Sequence, residues 1–280
     1  MTKIFLRNIF YVITVISQLF EIQSFDYQHK NEWYKQYPDC AGKTQSPLDI
    51  NTSQIKTEIK NPIRFKGHDR QPREMYLKNN GHTVVINPVY SSEEPSVEGG
   101  SLNGTYILDS IHFHWGCRNN RGSEHTVNGK HLTLEMHMVH YNDNYCSIQD
   151  AQDKPNGLAV IGIFFKICNK NDGSTLRPLV ENLKKVQKIN EQSSIKPFSL
   201  KIFNLKEEIK LITYQGSLTT PPCYQTVTWI LAAKIRRITN EQVEEFRKIN
   251  LKHGNMENFR SVQPINNRII SIAKGSMCSI

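Results

Sequence analysis

None of the six cysteines in this 280-residue sequence stands in a Cys-x-x-Cys pair, so a cysteine-built structural zinc site is not expected. No cluster of Lys and Arg is interleaved with aromatic residues. Despite a formal net charge of +9, the chain therefore lacks the footprint of a nucleic-acid binder. The excess cations read as a solvated basic surface, with loose attraction to anionic surfaces as their remaining use. Internal repeats, low-complexity runs and linker-like stretches are also missing, which leaves no obvious place to divide the chain. Beyond residue 24 there is no long apolar stretch, and the short, mixed segment 273–280 offers neither an anchor helix nor a lipid-anchor tail.

The N-terminus is different. Lys3 and Arg7 precede an apolar run over residues 9–20, broken only by Thr14, Ser17 and Gln18. A basic start followed by a short apolar run is the pattern of a secretory signal peptide, and the run is shorter than the roughly 20 residues that span a bilayer. Residues 1–24 are read as the signal and 25–280 as one domain of a secreted, extracellular protein with no stable membrane anchor. Two sequons suit that compartment, at Asn51 and Asn103. So does at least one disulfide among Cys40, Cys117, Cys146, Cys168, Cys223 and Cys278. A monomer is expected, with a disulfide-linked dimer through Cys278 as the alternative.

What the sequence has in abundance is short strand pattern. Residues 110–115 and 132–139 alternate, residues 158–165 form a continuous apolar run suited to a strand buried on both faces, and 226–233 is a further strand. Asn80-Gly81, Gly99-Gly100 and Asn128-Gly129 punctuate them as turns. The best helical candidates are 176–186 and 240–246, the second capped by Thr239 or Asn240. The fold expected is a β-rich α+β domain built on a large, twisted, mostly antiparallel sheet with short peripheral helices.

His112 and His114 carry the first chemical signal. Residues two apart on a strand share a face, so their imidazoles lie side by side while Ile111, Phe113 and Trp115 face a core. A third histidine from a neighbouring strand would complete a set that suits zinc and leaves a fourth position for water. His137 shares its face with Glu135, Thr133 and Val139. His140 falls on the opposite face by parity, whereas His131 remains allowed.

These residues sit within a longer series of motifs. In order they are Gln45-Ser46-Pro47-Leu48-Asp49-Ile50, Asn79-Asn80-Gly81-His82, His112-Phe113-His114-Trp115-Gly116, Gly122-Ser123-Glu124-His125-Thr126-Val127, Glu135-Met136-His137-Met138-Val139-His140 and Gly216-Ser217-Leu218-Thr219-Thr220-Pro221-Pro222. From about Tyr27 to Ile272 the sequence resembles the α-class carbonic anhydrases, a family built on a three-histidine zinc site.

The resemblance implies reversible hydration of carbon dioxide to bicarbonate and a proton by zinc hydroxide, with Zn2+ on His112, His114 and His137. It implies that Glu135 and the backbone carbonyl of Asn258 hold two of those imidazoles by their other nitrogen. Thr219 and Glu124 would orient the hydroxide, and His82 would carry the proton away. Val139, Val160, Leu218, Val227 and Trp229 would line an apolar substrate slot, Thr220 would contact bicarbonate, and Tyr27 and Asn80 would hold the cavity's water chain. His125 would bond Glu135 and Tyr214, and Cys40 would pair with Cys223. Three positions depart from the family pattern. Ser110 stands where a longer glutamine supports His112, Val85 replaces a polar residue at the cavity rim, and Cys117 follows His-Trp-Gly. The Ser110 exchange predicts reduced activity. The alternative is a catalytically weak binding or matrix protein of the same fold. Ester hydrolysis would be a side activity of the same site.

Overall fold

The computed structural model describes residues 25–55, 57–168, 173–203 and 210–278, with side chains as far as Ser276. The signal peptide expected over 1–24 lies outside the described residues. In chain order the strands are β1 (Asp49–Ile50), β2 (Thr57–Lys66), β3 (Glu74–Asn79), β4 (Val84–Val89), β5 (Ser96–Gly99), β6 (Tyr106–Trp115), β7 (Thr126–Val127), β8 (Leu134–Asn142), β9 (Leu158–Ile167), β10 (Gln192–Ile195), β11 (Lys210–Gly216), β12 (Val227–Ala232), β13 (Arg236–Ile238) and β14 (Ser271–Cys278). All but β1 and β7, which pair with each other, join one sheet in the order β10-β3-β4-β6-β5-β2-β14-β11-β12-β9-β13, with β8 between β6 and β9. Its pairings are antiparallel except β2–β14, β9–β12 and β9–β13.

Strand parity sorts the side chains as the alternation predicts. Ile111, Phe113, Trp115, Met136 and Met138 enter the larger apolar core, together with Ile161, Ile163 and Phe165. Val139, Leu158, Val160 and Phe164 face a second core with Val227, Trp229 and Leu231. Strand β9 is thus buried on both faces, and each large apolar side chain removed from water contributes about 1.5–3 kcal/mol. The helices are short: α1 (Ile148–Ala151), α2 (Arg177–Leu183) and α3 (Asn240–Arg247). Thr239 caps α3 in a reciprocal capping box with Gln242, the arrangement that satisfies two otherwise orphaned backbone donors.

Two local features were not foreseen. The β6–β8 register slips between Leu108 and Ser110, so Asp109 is an extra residue in β6, a bulge of the kind that re-aims side chains beside functional sites. Gly162 of β9 pairs with His137. A Cβ there would come within 2.5 Å of the Leu231 side chain while meeting Glu135 Oε1 only at an ordinary contact distance of 3.4 Å, so the glycine makes room for Leu231 beside the carboxylate that bonds His137.

Cys40 and Cys223 form a disulfide across 183 residues of sequence. Cys117 and Cys146 are exposed free thiols, and Cys168 is a half-buried one. The Cys278 side chain lies outside the described residues. Asn103 is exposed. Asn51 is half-buried, and its side-chain oxygen accepts from the Ser53 backbone and hydroxyl. Among the described residues no helix is long and apolar enough to cross a membrane.

Candidate metal centre and active site

The antiparallel register places His112 opposite His137 and His114 opposite Glu135. Because β6 contributes its histidines two residues apart and β8 supplies His137 from the adjacent strand, three rings converge on one point of the same sheet face. His137 Nδ1 lies 3.0 Å from His114 Nε2 and 3.2 Å from His112 Nε2. Zinc–nitrogen bonds of about 2.0–2.1 Å in a tetrahedral site put neighbouring nitrogens roughly 3.3 Å apart, so the donors fit the ion closely. His140 points to the other face, where its Nε2 sits 3.4 Å from His68 Nε2. His131 is engaged elsewhere, through Nδ1 to the Ser123 carbonyl at 2.7 Å.

The non-ligating nitrogens determine which ring atom is free. His114 Nδ1 donates to the Asn258 carbonyl at 2.7 Å, and His137 Nε2 donates to Glu135 Oε1 at 2.7 Å. Asn258 is itself anchored. Its side-chain oxygen accepts from the Trp115 N–H, and its amide donates to the His82 and Phe113 carbonyls. Glu135 also receives His125 Nδ1 at 2.7 Å and the His125 backbone N–H at 2.9 Å, while His125 Nε2 lies 2.6 Å from the Tyr214 hydroxyl. His125, Glu135 and His137 also cluster closely enough to suggest a second metal triad. Their facing atoms are already consumed by these hydrogen bonds, which assigns them a bracing role. His112 is the exception: among the described residues nothing bonds its Nδ1. Ser110 is too short to take the place of a longer acceptor there, and its hydroxyl acts on the neighbouring Asp109 carboxyl. Burial raises the Asp109 carboxyl and the hydroxyl partly offsets the rise.

Electrostatics agree with a cation site. Burial, reinforced by the neighbouring rings, pushes His112 well below its ordinary value and His114 to about 3, so the imidazoles are neutral donors at pH 7. Burial and the nearby Glu135 charge push Glu124 up to about 8, against the pull of the Thr219 hydroxyl and the Arg260 backbone and guanidinium. Glu124 Oε2 is buried, has no hydrogen-bond partner among the described residues and lies 3.4 Å from His114 Nε2. An unpartnered buried carboxyl oxygen beside three neutral imidazoles is a setting that a bound cation would stabilise. The donor set therefore fits zinc.

The sequence matches the family model for eukaryotic-type carbonic anhydrases over residues 28–274. The chain belongs to that family. It is 33% identical over 249 residues to carbonic anhydrase 6 of Mus musculus, covering 86% of this chain and 77% of that protein. Carbonic anhydrase 6 of Homo sapiens is 32% identical over 247 residues, covering 85% and 78%. Carbonic anhydrase 7 of Mus musculus is 34% identical over 255 residues, covering 86% and 92%.

The remaining residues of this carbonic anhydrase take up definite places. Thr219 is buried, in a loop tied down on several sides. Leu218 N–H donates to the Tyr224 carbonyl, Cys223 N–H to the Thr220 carbonyl, and Trp229 Nε1 to the Ser217 carbonyl. Ser46 and Ser217 exchange backbone-to-hydroxyl bonds beneath it. Val139, Val160 and Trp229 form a row of register partners across β8, β9 and β12, beside buried Val227 and half-buried Leu218. The Trp229 ring packs edge-on at 4.8 Å from that of His137. Val85 pairs directly with His112. Tyr27 is buried against Phe25 and Trp33, and burial together with the Glu124 charge raises its hydroxyl well above the usual range.

Asn80 accepts from the His82 and Thr83 N–H groups, forming the turn that presents His82. That ring is half-buried and stacked on Phe25, centroids 4.1 Å apart at 13°. Burial and the charges of Lys252 and His253 pull it down to about 4. Arg260 was missed in the sequence. Its N–H donates to Glu124 Oε1 at 2.8 Å, and its guanidinium bonds Gln45 and the Ser46 and Cys40 carbonyls. No local pattern marks it, because every partner is distant in sequence.

Proposed function

We propose that this protein is a secreted, zinc-dependent carbonic anhydrase that hydrates carbon dioxide through a metal-activated water. The observation that carries the reading is the convergence of His112 Nε2, His114 Nε2 and His137 Nδ1 at zinc-site spacing, with two of the three rings locked by Asn258 and Glu135. Zinc bound there supplies a nucleophile at neutral pH by lowering the pKa of its water from about 15.7 to about 7.

The chain's own residues do the rest. Glu124, fixed by the Arg260 N–H, accepts from the Thr219 hydroxyl and so leaves the Thr219 oxygen as an acceptor that aims the attacking oxygen. Val139, Val160, Leu218, Val227 and Trp229 exclude water from the side where an uncharged substrate binds, and Thr220 meets the bicarbonate product. Tyr27 and Asn80 hold the path toward His82, which carries the proton outward. Residues 1–24 direct export, and the exposed Asn103 is the better placed of the two glycan acceptors. Zinc analysis of the purified protein alongside stopped-flow CO2 hydration tests the whole. A metal-free, inactive preparation that added zinc cannot rescue would overturn it.

Two outcomes are specific to this chain. Lost hydrogen bonds to metal-ligating histidines cost about 10–100-fold in affinity or activity, so Ser110→Gln, whose amide oxygen is long enough to reach His112, should tighten zinc binding by about tenfold in a chelator competition. Unchanged affinity would remove Ser110 as the weak point. His82, held near pKa 4, releases a proton readily but takes one up poorly at pH 7. The loss of kcat in His82→Ala should therefore lie toward the lower end of the roughly 10²–10⁴ that positioned acid–base groups contribute. Imidazole buffer should restore the rate, and no loss would exclude His82 as the carrier.

A further inference from the structure

A cavity of about 810 Å³, to whose lining none of the three histidines contributes, is walled among others by Arg118, Arg121, Lys130, Leu132, Lys166 and Ile235. Its volume is that of a pocket for a drug-sized molecule. Its floor is apolar, made by Val127, Leu132, Ile167 and Ile235, and Ile235 is 41% exposed. Its rim is cationic, and no Asp or Glu contributes to the lining.

The cations are held close together by the backbone. Arg118 and Arg121 face each other across a bridge closed by the Arg121 N–H and the Arg118 carbonyl at 3.1 Å, and a second bridge joins Val127 to Lys130. The Thr133 hydroxyl donates to the Asn119 carbonyl and accepts from the Ile167 N–H, which pins the arginine turn to β9. The Arg121 guanidinium lies over the Phe259 ring at 5.6 Å. None of Arg118, Arg121, Lys130 and Lys166 forms an ion pair among the described residues. The nearby carboxylate of Asp49 accepts from the Gly129 N–H and the Thr126 hydroxyl and forms no ion pair with any of the four.

Four unpaired like charges around an apolar floor are mutually repulsive and lack a counter-charge. We infer that this cavity is a binding site for a small amphiphilic anion, one carboxylate, sulfate or sulfonate head on an aliphatic or aromatic body, separate from the carbon dioxide site. The head is met by the cations of the rim, and the body covers Leu132, Ile167 and Ile235. A simple inorganic anion gains nothing from the floor, and a neutral amphiphile gains nothing from the rim.

Fluorescence titration with 8-anilinonaphthalene-1-sulfonate, followed by competition with decanoate, decanol and sulfate, tests this on the whole secreted protein. Saturable binding is expected, displaced by decanoate but not by decanol or sulfate. Arg118→Glu combined with Lys166→Glu should weaken it by at least about tenfold, the effect of roughly 1.4 kcal/mol of lost attraction. Ile235→Asp should weaken it without touching the cationic rim. CO2 hydration should stay unchanged in both variants, which also reports that they fold. Binding that survives both variants, or that sulfate displaces as well as decanoate does, would overturn the assignment.

Discussion

His114→Ala should abolish carbon dioxide hydration and leave the protein unable to retain zinc through dialysis. Loss of a mere outer hydrogen bond to a ligand costs about 10–100-fold in affinity or activity, and this variant would remove one of the three proposed ligands outright. It also leaves the Asn258 carbonyl, which accepts from His114 Nδ1 at 2.7 Å, without its donor inside the protein. An orphaned buried polar group costs about 1–3 kcal/mol, so a modest fall in the thermal midpoint should accompany the loss. The wild-type protein stripped of zinc is the control that separates the two effects: it keeps the hydrogen bond and should recover fully when zinc is returned. A His114→Ala protein that held one zinc per chain and hydrated carbon dioxide at an undiminished rate would remove His114 from the site.

Replacing Cys40 and Cys223 together by serine should produce the largest loss of stability. The disulfide spans 183 residues, and the chain-entropy relation assigns a loop of that length about 5 kcal/mol at 25 °C, within a measured range that runs from about zero to about 5. Total stabilities of single domains are about 5–15 kcal/mol, so the variant should unfold at markedly lower urea. The bond also holds local structure. The Cys223 N–H closes the turn on the Thr220 carbonyl, the Cys223 carbonyl accepts from Gln45, and the Cys40 carbonyl accepts from the buried Arg260, whose N–H fixes Glu124. The reduced form should therefore lose kcat before it loses its fold. An unchanged unfolding midpoint would show that noncovalent packing alone holds this corner.

Much of this site could be read from strand parity. A period of two put His112 and His114 on one face, admitted both His137 and His131 as a third partner and dismissed His140, because a side chain's face on a strand is a local property; the family motifs then selected His137. Family motifs supplied Thr219, Glu124 and the Cys40–Cys223 pairing. The sequence was silent wherever the cause is a contact between distant segments. The bulge at Asp109 lies just ahead of Ser110 and His112, yet bulges follow from the register against β8, which no window of β6 contains. Gly162 looked like one more small residue in an apolar run until its partner across the ladder proved to be His137. Arg260 reaches Glu124, Gln45 and Cys40 from the far end of the chain. The turn motif marks His82 but carries no sign of its surroundings: burial together with Lys252 and His253, from another segment, lowers it.

Strand β14 lies inside the sheet, not at its rim, pairing Ser271 with Thr57 of β2 on one side and with Thr213 of β11 on the other. While residues 271–278 are still being synthesised, β2 and β11 each present an unsatisfied ladder of backbone donors and acceptors, the template on which one chain can add to another. Contacts that close so late in the chain also make folding slow. The growing polypeptide therefore has to be kept apart from its neighbours until β14 has been made, and it is that strand which joins the two parts of the sheet.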